Sequence, residues 1–147
     1  MRILGTAAGL GLAATLVAGE ANAQNIIDMK GTWTATNQAI VDGPVIHHPP
    51  AGDPATKPAA KARLTEVPFT LVIEGQDGRR FWGTTSSPRH TERLIGSLSV
   101  DGKSIHMVDE DGFLDGTVVN ADAFDVCYRQ ITKDAAVVGC GRVSRKK

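Results

Sequence analysis

Cys127 and Cys140 are the two cysteines of this 147-residue chain, and their spacing lets them react with each other. Lys133-Asp134 lies midway between them, with alternating residues on either side. A hairpin turning there sets the two cysteines directly opposite one another. Counting outward from a two-residue loop makes them a non-hydrogen-bonded pair, with Cα atoms about 4.5 Å apart. A disulfide accepts about 4.4–6.8 Å. In an oxidising compartment the pair is therefore expected to be bridged.

Other groups capable of chemistry are scattered. Glu74, Asp109 and Tyr128 are the polar side chains expected at a barrel interior or rim. A carboxylate beside apolar walls has a raised pKa and can act as a general base. Glu74 and Asp109 both adjoin turns, which places them in water instead. Asp109-Glu110-Asp111-Gly112, followed by Asp115, has the composition of a calcium loop. With Gly112 as the invariant glycine, the first and last ligand positions fall on Met107 and Val118, so the EF-hand pattern fails. His47-His48 with Asp53 is too small a set for a metal centre. His90 lies in a polar connection and His106 on an outer face, each without a nucleophile partner. No G-x-S-x-G or Cys-His signature is present. No metal, cofactor or complete catalytic motif is expected, and the sequence leans away from an enzyme.

The chain begins as a secreted protein would. Arg2, the apolar run Ile3 to Ala18 and Ala21-Asn22-Ala23 read as a signal peptide over residues 1–23. That run is short for a bilayer span. Residues 24–147 then form one domain, periplasmic or secreted. The chain has 16 basic and 16 acidic residues, and cleavage removes one of each. Such unclustered charge excludes nucleic acid and acidic membrane surfaces as natural partners.

The elements that must hold these groups are strands. Lys30 to Val41 alternates Thr32, Thr34 and Thr36 against Trp33. Residues 42–66 hold five of the seven prolines and no periodicity, so a long Pro/Ala-rich loop is expected between strands 1 and 2. Val67 to Gly75 turns at Asp77-Gly78 into Arg79 to Ser86, pairing Ile73 with Trp82. Turning at Asp101-Gly102 pairs Leu98 with Ile105 and Gly96 with Met107. Turning at Asp111-Gly112 pairs Met107 with Gly116. A three-residue loop at Asn120-Ala121-Asp122 pairs Leu114 with Tyr128 and Val118 with Phe124. The last hairpin pairs Phe124 with Val143.

These registers put Leu94, Leu98, Ile105, Met107, Leu114, Val118, Phe124, Val126, Tyr128, Val137 and Val143 on one face. A slip of one residue would reverse a whole strand. The outer face carries Ser97, His106, Asp115, Asp125 and Arg142. It also carries Ile95, Val108, Val119 and Val138, an apolar strip expected to meet a second copy or a packed terminus. Eight sequential antiparallel strands suit an all-β, up-and-down barrel. Closure also removes the exposed edges.

Gly31-Thr32-Trp33 on the first strand of such a meander resembles the calycin barrels: lipocalins, avidins and small secreted inhibitors of bacterial metalloproteases. The resemblance implies that Trp33 closes one end beneath an arginine of the last strand, with Arg142 or Arg145 in that position and Arg142 taken first. The stretch after Trp33 lacks the avidin biotin pattern, and there is no room after Arg145 for the lipocalin helix. From Arg79 through the Cys127 strand the chain also looks like a secreted bacterial family of unknown function.

The resulting expectation is non-covalent binding of a small, partly apolar molecule at the open end. Trp82, Met107, Tyr128, Phe124, Leu98 and Leu114 would line the pocket beside Gly96, Gly116, Gly139 and Gly141. Those glycines either leave space or ease strand bends. One alternative is an inhibitor module that binds a secreted protein; a second is a barrel isomerase or cyclase. A cavity of a few hundred Å³ favours a ligand, and a filled core favours a protein partner.

Overall fold

The computed structural model describes residues 26–43 and 62–147. The expected signal peptide, His47, His48 and Asp53 lie outside the described residues. The strands are β1 (Gly31–Asp42), β2 (Arg63–Asp77), β3 (Arg80–Ser86), β4 (Thr91–Leu98), β5 (Ser104–Val108), β6 (Phe113–Asn120), β7 (Ala123–Ile131) and β8 (Ala136–Arg145). Each pairs antiparallel with the next, and β8 pairs back onto β1 to close an eight-stranded barrel. The all-β, up-and-down architecture expected from the alternation is the one observed.

Alternation fills the interior. Trp33, Leu71, Phe81, Leu94, Ile105 and Phe124 are among its buried side chains. Charged residues such as Glu66, Arg93, Asp125 and Arg142 point outward. This apolar inside and charged outside is the reverse of a membrane-spanning barrel.

The expected long loop is shorter than its composition suggested. Residues 63–66 belong to β2, where Thr65 pairs with Ala39 and Leu64 with Ile40. Thr65 holds the inward position and hides the alternation that Val67 and Leu71 make visible.

Three turns differ from expectation. Between β2 and β3 the connecting residues are Gly78 and Arg79, with Gly78 at φ +56°, and not Asp77-Gly78. The register also shifts between Ile73 and Gly75, which leaves Glu74 as a bulge. Ile73 therefore faces Gly83, so Phe81 turns inward and Trp82 outward. The bulge frees Gln76 to bind the N-terminal segment: its Oε1 accepts from Met29 N at 2.6 Å, and its Nε2 donates to Ile27 O at 3.0 Å.

Between β5 and β6 the loop is Asp109 to Gly112, and Met107 faces Leu114, not Gly116. Asp109 Oδ1 accepts from the N–H of Gly112 at 2.7 Å and of Asp111 at 3.3 Å, which holds the wider loop. This slip is two residues, so every side chain keeps its face. Between β6 and β7 Asn120 pairs with Ala123, and a shift after Val118 restores the expected Leu114–Tyr128 and Val118–Phe124 pairs. The β4–β5 pairing and the β7–β8 hairpin follow expectation, with Leu98 opposite Ile105 and Phe124 opposite Val143.

Cys127 and Cys140 are directly paired and joined in a disulfide, Cα atoms 4.1 Å apart. Their neighbours Val126 and Tyr128 point inward, so the bridge lies on the outer face of β7 and β8.

Candidate functional site

The two ends of the barrel are built differently. At the end where β1 begins, Trp33 is fully buried and its indole N–H donates to Met29 O at 2.8 Å. Its ring packs on Phe124, centroids 5.2 Å apart. The guanidinium of Arg145 lies 4.0 Å over the indole. Arg145 also donates to the carbonyls of Lys30 and Asp28, both at 2.6 Å, and to Asp122 at 3.0 Å. Trp33 is thus covered at this end by Arg145 and the Met29 segment. The arginine above it is Arg145 and not Arg142. Period two explains the choice: Arg145 shares the parity of inward Val143, whereas Arg142 points out and pairs with Asp125 at 2.7 Å.

The opposite end is where β3–β4, β5–β6 and β7–β8 turn. Alternation through Leu98 and Leu94 carries inward to Glu92, whose side chain is wholly buried. Inward-facing Thr85 pairs with it. The β5–β6 loop brings Asp109 and Asp111 beside it, so that one oxygen of each carboxylate lies within 4.8 Å of the others. Tyr128 on β7 donates its hydroxyl to Asp111 Oδ1 at 2.7 Å. His90 Nε2 lies 3.0 Å from Glu92 Oε1. From β1, Asn37 is 4% exposed, and its side-chain oxygen has no hydrogen-bond partner.

Electrostatics follow from this crowding. Burial pushes the Asp109 carboxyl above its ordinary range, opposed by the Gly112 N–H and reinforced by the charge of Glu92. Burial, the bond to Asp111 and the nearby carboxylates push the Tyr128 phenol upward. Tyr128 is therefore a fixed donor and not a proton acceptor. Carboxylates in this arrangement can hold a proton or a cation. Glu74 is exposed at the β2 bulge, as its place beside a turn implies, whereas Asp109, expected in water for the same reason, is half-buried.

Among the described residues the interior cavities are small. Asn37, Val41, Val67, Phe69, Tyr128 and Val137 help line a cavity of about 30 Å³. Asn37, Thr85, Asp109, Leu114 and Tyr128 help line another of about 20 Å³. Each has room for about one water. The glycines expected to leave space do not: a Cβ at Gly96 would overlap Phe81, and one at Gly141 would overlap Asn37 Oδ1.

The residues expected to line one pocket are therefore dispersed. Leu114 and Tyr128 border the smaller cavity. Met107, Leu98 and Phe124 are buried in the core and border neither cavity. Trp82 is outside.

On the outside Trp82 forms one end of an apolar ladder. It pairs with Ile95, Ile95 with Val108, and Val108 with Phe113. Trp82 is 47% exposed, and Ile95 and Phe113 are each 60% exposed. They border a shallow groove of about 510 Å³ whose polar edge includes Arg80, Ser97, His106 and Asp115. The ladder takes Ile95 and Val108 from the expected strip, adds Trp82 and Phe113, and leaves out Val119 and Val138. Val138 instead neighbours Ile40.

Glu92 and Asn37 were not singled out from sequence. The signal was present in both cases: Glu92 has the parity of Leu94, and Asn37 that of Trp33 and Val41. Polar types at inward positions look like strand ends until the partner strands are in place.

No family model matches the chain. The chain is 25% identical over 136 residues to a curated protein of Aspergillus niger named protein rot1, a match covering 92% of this chain and 52% of that protein. The chain thus spans about half the length of this relative. Among solved structures it is similar to the S-type phycobiliprotein lyase CPES of Guillardia theta, at 12% identity and a TM-score of 0.36. That match covers 81% of this chain and 89% of the lyase.

Proposed function

We propose that the protein is a non-catalytic binding module of a secreted or periplasmic setting, and that it meets a protein partner through the outside of its barrel. The observation that carries this is the small size of the interior cavities among the described residues. Cavities of about 30 and 20 Å³ are far below the ~300–1,000 Å³ of small-molecule sites. The apolar ladder supports the same reading, since contiguous exposed apolar residues with a polar rim are what partner-binding surfaces offer. The disulfide is consistent with an oxidising compartment.

A second reading keeps a small, partly apolar ligand at the open end. It is favoured by the position of the larger cavity, whose walls run from Val41 near the end of β1 to Tyr128 and Val137. A ligand there would have to displace side chains.

Native mass spectrometry of the protein purified from its own source separates the readings. A protein complex lost in the Trp82→Ser/Phe113→Ser double variant supports the first. A small-molecule adduct that survives that variant and is lost in Gly139→Val supports the second. A doubled mass would identify the partner as a second copy. A bare monomer from the native source would overturn both.

A further inference from the structure

Among the described residues, Glu92, Asp109 and Asp111 form a group of three carboxylates with converging oxygens. They come from two different parts of the chain, the start of β4 and the β5–β6 loop. Glu92 is wholly buried, and the other two are half-buried. Bringing three carboxylates this close is costly if all are ionised, and His90 Nε2, 3.0 Å from Glu92 Oε1, can offset the charge of one of them when protonated.

Acidic residues alone do not make a site. The second observation comes from across the barrel. Asn37 is buried on β1, its side-chain carbonyl accepts no hydrogen bond, and it lines the same small cavity as Asp109, Thr85 and Tyr128. A buried amide oxygen without a donor is costly by about 1–3 kcal/mol, and a cation is a partner that such an oxygen can take. The orphaned amide and Asp109 thus border one enclosed space, and Glu92 and Asp111 adjoin Asp109.

We propose that Glu92, Asp109 and Asp111 hold a hard divalent cation of the calcium type at the end of the barrel opposite Trp33, with the Asn37 carbonyl as a neutral oxygen donor reached through the cavity it shares with Asp109. The donor set is all oxygen, which suits calcium, magnesium or manganese and disfavours zinc. Two of the carboxylates sit on a four-residue loop, and calcium tolerates the irregular geometry such a loop provides, whereas magnesium demands a near-ideal octahedron. The tyrosine next to the site, bonded to Asp111, is the only one in the chain. This inference does not depend on the partner-binding reading above.

Full-length secreted protein, stripped with a chelator, is titrated with CaCl₂ by calorimetry and with Tb³⁺ by luminescence excited through its aromatic residues. One saturable equivalent is expected, with Ca²⁺ displacing Tb³⁺ and the melting temperature rising with Ca²⁺. Glu92→Gln and Asp111→Asn should each weaken binding at least tenfold, and Asn37→Leu several-fold. Glu110→Gln, whose carboxylate faces outward to Arg93, should leave it unchanged. Near-UV circular dichroism checks that each variant is folded. Absence of saturable binding by wild type would overturn the proposal whatever the variants do. So would equal weakening by Glu110→Gln and Asp111→Asn, which would indicate diffuse surface charge.

Discussion

The barrel has one end capped by an indole and an opposite end where carboxylates converge. At the sealed end Trp33 is buried under Arg145, and the polar atoms of both side chains have hydrogen-bond partners. At the acidic end Glu92 is buried beside two further carboxylates, with His90 3.0 Å away, and the Asn37 oxygen has no donor. The same eight strands and the same alternation build both. The difference lies in what the inward positions carry near each rim: tryptophan and phenylalanine at one, glutamate, asparagine and tyrosine at the other. Apolar and fully bonded groups stabilise; crowded carboxylates do not. The sealed end therefore supplies stability, and the acidic end is where a stability cost points to a function.

Removing Trp33 is the largest test of that contrast. Trp33→Ala should destabilise by about 3–5 kcal/mol, read by chemical denaturation. A loss no larger than that of an exposed-site change would mean the sealed end is not the anchor. The disulfide belongs to neither end, because it joins β7 and β8 on the outer face. Replacing both cysteines by serine should cost about 3 kcal/mol, read as a lower melting temperature, and should leave cation affinity unchanged.

Within the sealed end, Arg145→Ala should cost about 1–2 kcal/mol through the lost contact with the indole and the lost bonds to carbonyls. Arg142→Ala should cost much less, because its pair with Asp125 is exposed. Equal losses would remove the distinction between the two arginines. At the acidic end, Asn37→Leu should be neutral or stabilising by up to about 1 kcal/mol in chelator. A clear destabilisation would show that the amide serves the fold.

The smallest expected effect is on pH dependence, again in chelator. Asp109 has its pKa raised in the folded state, so the native protein binds that proton more tightly than the unfolded chain. Its contribution favours folding at low pH and is lost as pH rises through the raised value. Asp109→Asn should flatten the stability profile just above the ordinary carboxyl range. An unchanged profile would mean that Asp109 is solvated like an ordinary surface carboxylate.

Much of this was legible in the residues themselves. Strict period two through Leu94, Leu98, Ile105, Met107, Phe124 and Val126 identifies the inner face, because a strand has only two faces. The turn midway between Cys127 and Cys140 fixes their pairing by local geometry alone. Trp82 was not legible. Its face depends on one bulge at Glu74, and the bulge serves Gln76, whose partners Ile27 and Met29 lie far away in the chain. Met107 survived a wrong turn because that slip was two residues, whereas Trp82 did not survive a shift of one.

The sequence by itself determined the class, the inner face and the disulfide, since each follows from spacing along one strand or across one hairpin. Tertiary structure decided how full the barrel is and which polar groups meet inside it. Both depend on closing β8 onto β1, which sets Asn37 across from Gly141 and over its bare Cα. Closure is also what brings the inward polar residues of β1, β3, β7 and the β5–β6 loop to one cavity. No pattern within a single strand contains that meeting, because it is a relation between strands that are distant in the chain.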